Sequence, residues 1–241
     1  MLEISFHSDA ERRGTLFMDR ERVQTLTSLV PTAISLTHLS VPNRDRVERF
    51  IESVYARGYG SCITQHYPTL MDVHDASGHV AAAVGMRRAG EDHLFLERYL
   101  EAPIEDIATQ AYGEPITRDE IVEIGNLASA GNGASVFLFV TLAAYLRQQN
   151  LSYAAVTATQ ALRRSFALFG IPFLEIGRAD AAALPDRGAA WGTYYSKDPK
   201  VLIGAITPAY ARLEPYLPLT HNKELKQLFA RLHPEALRTL Q

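Results

Sequence analysis

Residues Val122–Ser135, with the sequence VEIGNLASAGNGAS, decide the fold because they join a core strand to a helix through a loop of small residues. The first half is apolar apart from Glu123 and Asn126, and Ser135 opens the most apolar helical segment of the chain. A carboxylate in a core strand is costly to desolvate, so it usually shifts its pKa or finds a partner. The stretch therefore predicts a strand, a loop and a helix, and it marks Glu123 as a residue with a role beyond packing.

The loop Ala128–Ser135 leads into the N-terminus of that helix. The first N–H groups of a helix lack partners within the helix and carry about half a positive charge, so they form a ready site for an anion. Gly131 and Gly133 let the backbone approach a ligand closely. The loop has neither a P-loop ending nor the G-x-G-x-x-G spacing, and an ordinary strand-to-helix turn is the alternative.

Glu123 is the candidate general base. A carboxylate with a raised pKa at the edge of a ligand cleft is suited to accept a proton from a substrate. The alternative is a Glu at a frayed or edge position that pairs with an arginine such as Arg87.

Tyr194 and Tyr195 lie in the stretch Trp191–Ile206, WGTYYSKDPKVLIGAI, for which we predict a strand. In a strand the two side chains point to opposite faces. One hydroxyl would then be able to donate a proton to a leaving group, and half-buried packing is the alternative.

The composition excludes several classes of protein. The chain has 241 residues, 47% apolar and 21% charged, which is typical of a globular protein with one substantial core. A formal charge of -3 without a basic tract argues against a nucleic-acid partner. A single cysteine, Cys62, and a charged N-terminus unlike a signal peptide favour the cytoplasm. The longest mostly apolar run, Ala134–Leu146, is about half of the roughly 20 residues that cross a bilayer. The histidines lack the spacing of a metal site, so we expect no metal.

Apolar periodicity predicts the order of the elements. They are a strand at Ile34–Val41, a helix at Arg44–Arg57, a hairpin around the Ala76–Gly78 turn, a short helix at Ile104–Ala111, the strand and helix of the opening stretch, a strand at 151–159, a helix at 160–170, and two or three further strands up to residue 206. Strands joined by helices lie parallel, and strands joined by short turns lie antiparallel. The order predicts a mixed sheet in an α/β (α+β) fold.

We expect a single domain over residues 1–241, with a core at about 34–206 and a helical C-terminal tail at about 208–241. In the tail, the segment ELKQLFARL carries four apolar side chains on one face: Leu225, Leu228, Phe229 and Leu232. The tail is therefore predicted to pack on the body or on a second copy of the chain, which would make a homodimer.

Five strings between about Arg44 and Ile206 resemble the thermostable hemolysin family of bacterial proteins. They are YGSCITQHYPTLM, LFLERYLEAPIE, IVEIGNLAS, LRRSFALFGIPF and WGTYYSKDPKVLIGAI, in this order. The order of elements also resembles the GNAT acyltransferase fold and, more distantly, the acyl-homoserine-lactone synthases. The resemblance implies a GNAT-like mixed sheet, mostly antiparallel, with a splayed parallel pair and flanking helices.

The resemblance also implies roles for individual residues. In the GNAT fold the equivalent loop binds the pyrophosphate of acyl-CoA through backbone N–H groups, and pantetheine enters the splay between two parallel strands. The co-substrate would be acyl-CoA or the acyl-phosphopantetheine thioester of an acyl carrier protein. The residues implied to bind it are Leu127, Ala128, Gly131, Asn132, Gly133, Ala134 and Ser135. The residues implied to bind the acceptor are Arg87, Asn126 and Thr157. Glu123 would be the base, and Tyr195 rather than Tyr194 would protonate the departing thiolate.

One departure from the lactone synthases bears on the acceptor. Where those enzymes have E-x-S-R, this chain has EIGN at 123–126, so Asn126 replaces the arginine. This argues against lactone synthesis from S-adenosylmethionine but not against acyl transfer to another amine. We therefore predict an N-acyltransferase that acts on the amine of a small-molecule acceptor by direct attack. The alternatives are a membrane-lytic protein, the one case that involves membrane contact, and a catalytically inactive acyl-CoA-binding module.

Overall fold

Nine strands form one mixed sheet in a computed structural model that describes residues 1–217. They are β1 (Leu2–Ser8), β2 (Glu11–Met18), β3 (Ala33–Thr37), β4 (Thr69–His74), β5 (Val80–Arg88), β6 (Ile121–Ser129), β7 (Tyr153–Ala158), β8 (Leu174–Arg178) and β9 (Lys200–Ala205). Their spatial order is β2-β1-β3-β4-β5-β6-β7-β9-β8. Neighbours are antiparallel except for β1–β3 and β6–β7. The mixed, mostly antiparallel sheet predicted from the sequence is confirmed.

Within residues 1–217, six α-helices flank the sheet. They are α1 (Arg20–Gln24), α2 (Arg44–Tyr59), α3 (Ile104–Tyr112), α4 (Ser135–Gln148), α5 (Gln160–Leu168) and α6 (Ile206–Leu213). The largest core cluster contains α4 together with side chains from β1 to β7, whereas α2 packs on a separate cluster with Leu70 and Ala83. Because α4 is buried on nearly every side, its sequence is apolar all round. The two helices therefore hold opposite faces of the sheet.

The N-terminal hairpin of β1 and β2 was not predicted. Its core positions alternate as strands require, with Ile4, Phe6, Leu16 and Met18 buried. Charged residues on the other face and the short length obscure the pattern. The sheet therefore begins at Leu2, well before the boundary near residue 34 expected for the core. The apolar tail segment and the dimer inferred from it lie beyond the described residues.

The predicted strand over Trp191–Ile206 is wrong in its first half. Two short 3-10 turns occupy Ala189–Trp191 and Tyr194–Lys197, and the strand begins only at Lys200. The chain folds over the end of α2, because the N–H of Thr193 donates to the carbonyl of Tyr59 at 2.8 Å. Tyr194 and Tyr195 therefore do not alternate across a strand.

Two irregularities in β6 create the space for a site. The strand pairs with β7 only from Ile121 to Ile124, so the two parallel strands separate beyond that point. On the other edge, Asn126 and Leu127 lie opposite the single residue Val84 of β5, which makes a β-bulge. Asn126 has φ +49°, a left-handed value that asparagine tolerates better than most residues. The splayed parallel pair predicted from the sequence is present.

Candidate active site

A cleft of about 500 Å³ opens where β6 and β7 separate. One end is aromatic and is lined by Tyr55, Tyr59, Trp191 and Tyr194, whose ring centroids lie 5.2 to 6.4 Å apart. The other end is lined by the hydroxyl side chains of Ser129, Ser135, Thr159 and Ser165. The cleft therefore has two chemically different halves that meet at the splay.

Glu123 lies just below the aromatic half and is 1% exposed. Its carboxylate accepts hydrogen bonds from the backbone N–H groups of Phe95, at 2.7 Å, and Leu96, at 2.9 Å. The hydroxyl of Tyr67 reaches the same carboxylate. Burial raises the pKa of Glu123 above its ordinary value, although these hydrogen bonds and the charge of Arg87 oppose the shift. Glu123 is thus a buried carboxylate in a fixed orientation, not a frayed or edge residue.

Tyr67 separates Glu123 from the cleft, which its own side chain lines. Its ring lies flat on the sheet over Gly85 and Gly125, where a Cβ would come closer than 3.0 Å to the ring. Its backbone is held on both sides, because its N–H donates to Asn126 Oδ1 at 3.3 Å and its carbonyl accepts from the buried Arg44. Burial, together with the Glu123 carboxylate, raises the pKa of Tyr67 well above 10.0. The Tyr67 hydroxyl therefore stays protonated and connects the cleft to Glu123.

The short 3-10 helix Phe95–Tyr99 supplies the N–H groups that hold Glu123. Glu97 accepts from the backbone N–H groups of Leu94 and Ile104 and forms a two-bond ion pair with Arg118, at 2.6 and 2.7 Å. Although burial raises the pKa of Glu97, the hydrogen bonds from Arg118 and the backbone outweigh it and lower the pKa to about 2. This ion pair fixes the turn on which the Glu123 geometry depends.

Tyr194 and Tyr195 exchange the positions expected for them. Tyr194 lines the cleft, and its hydroxyl donates to the carbonyl of Thr157 in β7 at 3.3 Å. Tyr195 does not line the cleft, and its hydroxyl lies 2.6 Å from that of Tyr99, which does. Burial raises the pKa of Tyr194 well above 10.0. The hydroxyl that faces the splay is therefore that of Tyr194.

The three residues implied to bind the acceptor all line the cleft. Asn126 and Arg87 lie on its aromatic side, and Thr157 lies at the splay. The Thr157 hydroxyl is buried and has no hydrogen-bond partner in the part of the chain that the structure describes. Arg87 lies opposite Glu123 in the β5–β6 register, but its guanidinium forms no ion pair with a carboxylate of residues 1–217. The Arg87–Glu123 pairing considered for the sequence is absent.

The loop before α4 meets the cleft at its two ends. Ser129 and Ser135 line the cleft, as does Leu127, whereas Gly131 and Asn132 are exposed beyond it and Ala128 and Ala134 are buried. Ala134, at the helix N-cap, makes no side-chain cap, and the N–H groups of Asn132, Gly133 and Ser135 donate to no group of the described chain. The helix N-terminus is thus left with unpaired donors at the hydroxyl-lined end of the cleft.

Thr27, which follows α1, holds this loop in place. Its hydroxyl donates to the carbonyl of Asn132 and accepts from the N–H of Leu29 at 3.0 Å. Gly133 has φ +74°, and a Cβ there would lie 2.7 Å from the Thr27 Cβ. The close approach explains the second glycine of the loop better than a ligand does.

A second, apolar cavity of about 60 Å³ lies behind the splay. Ile124, Leu127 and Phe139 line both it and the cleft. The rest of its wall is apolar and comes from α4, α5, α6, β7 and β9 and from the segment before β8, including Ala143, Phe166 and Leu213. The cleft therefore borders an apolar cavity at the splay.

The family model for thermostable hemolysin matches residues 38–210. The chain belongs to the thermostable hemolysin family. The matched range contains the cleft and every site residue predicted from the sequence, but not Thr27. The N-terminal hairpin, α1 and Thr27 lie outside the matched range.

Solved structures with the same fold include enzymes of acyl transfer. FeeM, an N-acyl amino acid synthase from uncultured soil microbes, has a TM-score of 0.52 and 17% identity over 77% of this chain and 96% of that chain. LasI, an acyl-homoserine-lactone synthase, has a TM-score of 0.52 and 10% identity over 78% and 98%. BjaI, a CoA-dependent synthase solved with SAM and isopentyl-CoA, has a TM-score of 0.50 and 11% identity over 79% and 92%. At these identities the similarity establishes the shared fold, as the sequence predicted.

Three further results are absences. No curated protein matches the sequence. In residues 1–217 no helix combines the length and apolarity needed to span a membrane. Within the same residues, His, Cys, Asp and Glu side chains form no group of three or more that would hold a metal ion.

Sequence reasoning missed Tyr67, Tyr99, Arg98, Phe95 and Trp191 as cleft residues. A signal for Tyr67 was present, because a glycine inside a core strand often marks the close approach of another group. Gly85 and Gly125 are such glycines, although nothing in the sequence names the residue that approaches them.

Proposed function

We propose that the protein is an N-acyltransferase that moves an acyl group from an acyl-CoA or acyl-carrier-protein thioester to the amine of a small-molecule acceptor. The observation that carries the proposal is the splay of β6 and β7, which opens into a cleft with unpaired backbone donors at one end and a buried acid–base pair at the other. The fold shared with acyl-transfer enzymes supports it.

The thioester would lie across the splay. Its phosphates would meet the N–H groups at the start of α4, where a helix N-terminus favours anions. The partnerless Thr157 hydroxyl faces the same gap and is suited to bond the amide-rich arm of phosphopantetheine. This orientation brings the thioester carbonyl to the bulge at Asn126 and Leu127, where a strand ladder leaves backbone groups unpaired.

Proton removal from the acceptor would run through Tyr67. The ammonium of the acceptor gives a proton to the Tyr67 oxygen while the Tyr67 hydroxyl proton passes to Glu123, which leaves a neutral amine and a protonated carboxyl group. The raised pKa of Glu123 favours its accepting that proton. The amine then attacks the thioester carbon to give a tetrahedral intermediate. When the intermediate collapses, the C–S bond breaks, the nitrogen loses its second proton and the departing thiolate takes up a proton, which leaves an amide and a thiol. Holding the two reactants together contributes up to about 7 to 11 kcal/mol in the best cases.

The oxyanion and the leaving thiolate would each have a donor. A backbone N–H aimed at the developing oxyanion is typically worth about 100- to 1000-fold in rate. The hydroxyl of Tyr194 lies at the splay and is the better candidate to hydrogen-bond the departing sulfur, since Tyr195 lies behind Tyr99. The raised pKa of Tyr194 keeps its hydroxyl protonated, and the hydroxyl would turn from the Thr157 carbonyl to the sulfur once the thioester is bound.

The apolar cavity behind the splay makes a donor with an aliphatic acyl chain the best fit. Ala143→Leu fills part of this cavity, so we expect kcat/KM for decanoyl-CoA to fall about 10- to 100-fold, within the usual range for pocket discrimination, while the value for acetyl-CoA changes little. Ala167→Leu, the same change on an exposed site of α5, is the control. An equal loss with both donors would mean that the cavity does not hold the chain.

Thr27 is expected to act on thioester binding alone. Thr27→Val keeps the shape of the side chain but loses the bond to the Asn132 carbonyl, so the loop before α4 loosens. We expect KM for the thioester to rise several-fold with kcat nearly unchanged, because Thr27 does not line the cleft. Thr25→Val, which loses only a local bond to the Arg22 carbonyl, is the matched control. A fall in kcat alone would contradict the assignment.

A direct assay tests the proposed function. The full chain is mixed with acyl-CoAs from acetyl to palmitoyl, or with acylated carrier protein, and with a panel of small amines, and thiol release and amide products are followed by absorbance and mass spectrometry. We expect thiol release that depends on both donor and acceptor. The absence of acceptor-dependent release with either donor class would overturn the proposal.

A further inference from the structure

The guanidinium of Arg87 is bonded on one side only. Its Nη1 donates to the carbonyl of His93 at 3.0 Å. Its Nε is buried and has no hydrogen-bond partner among residues 1–217. The Nε–H and Nη2–H groups of an arginine form the parallel fork that accepts a carboxylate with two bonds. The free side of Arg87 is therefore the side suited to a carboxylate.

Within residues 1–217, no carboxylate of the protein bonds that fork. Glu123 is opposite Arg87 in the register, but its two oxygens are held by the N–H groups of Phe95 and Leu96. Neither Glu123 nor any other Asp or Glu of residues 1–217 forms an ion pair with Arg87. A buried donor without a partner is costly, so the arrangement is suited to a partner that arrives with the ligand.

The charges around this half of the cleft favour an anion. Arg98 also lines it, with its guanidinium 4.4 Å from the Phe95 ring centroid and no ion pair within the described chain. Asp186 is the acidic residue among the lining side chains, and its two oxygens accept from the N–H groups of Gly188 and Ala190. Two cations thus face the space into which the acceptor would enter.

The position of Arg87 also indicates that the carboxylate belongs to the acceptor and not to the thioester. The phosphates of the thioester would lie at the opposite end of the cleft, near Ser135 and Thr159. Arg87 lies beside Tyr67, with 5.4 Å between its guanidinium carbon and the ring centroid, and Tyr67 leads to Glu123. A ligand that gives its amine to the Tyr67 hydroxyl and its carboxylate to Arg87 needs the two groups close together, as in an α-amino acid.

We propose that Arg87 binds the carboxylate of the acceptor, which makes the acceptor an amino acid in its zwitterionic form. This rests on the proposed function and specifies the acceptor of the same site. Acyl transfer would then give an N-acyl amino acid and a free thiol.

Paired acceptors test the inference. Each amino acid in a panel is compared with the amine that lacks its carboxylate and with its carboxamide, for example leucine with isopentylamine and leucinamide, at a fixed acyl-CoA concentration. We expect kcat/KM for the amino acid to exceed that of both analogues on the order of 100-fold, because charge-assisted hydrogen bonds are lost with the carboxylate. Equal rates for the three would overturn the carboxylate assignment and leave acyl transfer itself established.

Variants locate the contact. Arg87→Met should lower kcat/KM for amino acids about 100-fold more than for the carboxylate-free amines, whose rates change only through the lost charge near Glu123, and it should keep the KM for acyl-CoA. Arg88→Met is the matched control, because Arg88 points to the other face of β5 and donates to the Gln149 carbonyl at 3.0 Å. If Arg87→Met lowered the rates of both acceptor classes equally, Arg87 would not be the residue that binds the carboxylate.

A binding measurement keeps the inference separate from turnover. Wild type and Arg87→Met are titrated with the amino acids and with their carboxylate-free amines, in the presence of CoA, and followed by thermal unfolding and NMR chemical shifts. Binding of amino acids to wild type, lost in Arg87→Met, supports the proposal even if no product forms. An absence of amino-acid binding to wild type would refute it.

Discussion

Glu123→Gln should lower kcat/KM about 100- to 10,000-fold, the usual range for the loss of a positioned general base. The amide keeps the size of the side chain, but it cannot take the proton that Tyr67 would pass on. Burial raises the pKa of Glu123, and the base works only when it is deprotonated. The rate of wild type should therefore rise with pH through a pKa above 4.5, and this limb should vanish in the variant.

Two further variants test whether the loss is specific to Glu123 and to its contact with Tyr67. Tyr67→Phe removes only the hydroxyl between the cleft and Glu123, so a relay predicts a loss as large as that of Glu123→Gln. Glu120→Gln makes the same chemical change at a residue that bonds Thr117 and Ser152 and does not line the cleft, and it should retain full rate. Full activity of Tyr67→Phe together with an inactive Glu123→Gln would show that the base does not act through Tyr67.

Folding must be measured alongside the rates. The carboxylate of Glu123 accepts from two backbone N–H groups, and the amide of glutamine offers one oxygen to them. One buried donor would lose its partner, which costs about 1 to 3 kcal/mol. A free energy of unfolding reduced by that amount, with unchanged circular dichroism, is the expected background for the kinetic result.

Gly125→Ala should abolish most activity although it removes no polar group. A Cβ at this position would come closer than 3.0 Å to the ring and hydroxyl of Tyr67. Because the backbone of Tyr67 is held by Arg44 and Asn126, the ring must tilt away from the sheet and leave Glu123. We expect at least a 100-fold loss of kcat/KM and about 1 to 3 kcal/mol of lost stability from overpacking.

A double variant separates the two effects of that methyl group. In Tyr67→Ala/Gly125→Ala the clash is gone, so the second substitution should cost little stability beyond that of Tyr67→Ala, while activity stays low. Gly58→Ala is the control, because it lies in α2 with nothing within 4 Å of the added Cβ, and it should be neutral or slightly stabilising. Additive stability losses in the double variant would mean that Tyr67 is not what Gly125 accommodates.

Local patterns made much of the fold predictable. The periods of strands and helices are visible within a single segment, so the hairpin of β4 and β5, the unit from β6 to α4, and the unit of β7 and α5 follow from the sequence. Glu123 was identifiable for the same reason. A carboxylate within an apolar strand is visible in the local sequence, and its desolvation costs free energy unless it has a partner.

The contacts that build the site are not local. The bond from Tyr67 to Asn126 joins residues 59 apart, and the bond from Phe95 to Glu123 joins residues 28 apart. The apolar periodicity of a single segment gives no information about such distant pairs. The prediction that Tyr194 and Tyr195 point to opposite faces depended on a strand that does not exist, since the chain there folds back onto the end of α2 instead. The role of Tyr195 as the acid remains a prediction.

The loop before α4 gives a mixed outcome. Its position between a strand and a helix N-terminus was predictable, but Gly133 accommodates Thr27, a residue more than one hundred positions earlier. The anion-binding role of Gly131–Ser135 remains a prediction.

The N-terminal hairpin has a consequence for how the protein is truncated. A version cut to residues 38–210 would lose β1, β2 and β3, and β4 would become the border of the sheet. The backbone of β4 would then present open hydrogen-bonding groups beside Leu70, Met71 and Val73, which are 0% exposed in the intact chain. An uncovered apolar border strand is a template for aggregation, so the trimmed protein should form insoluble assemblies although its cleft residues are all present.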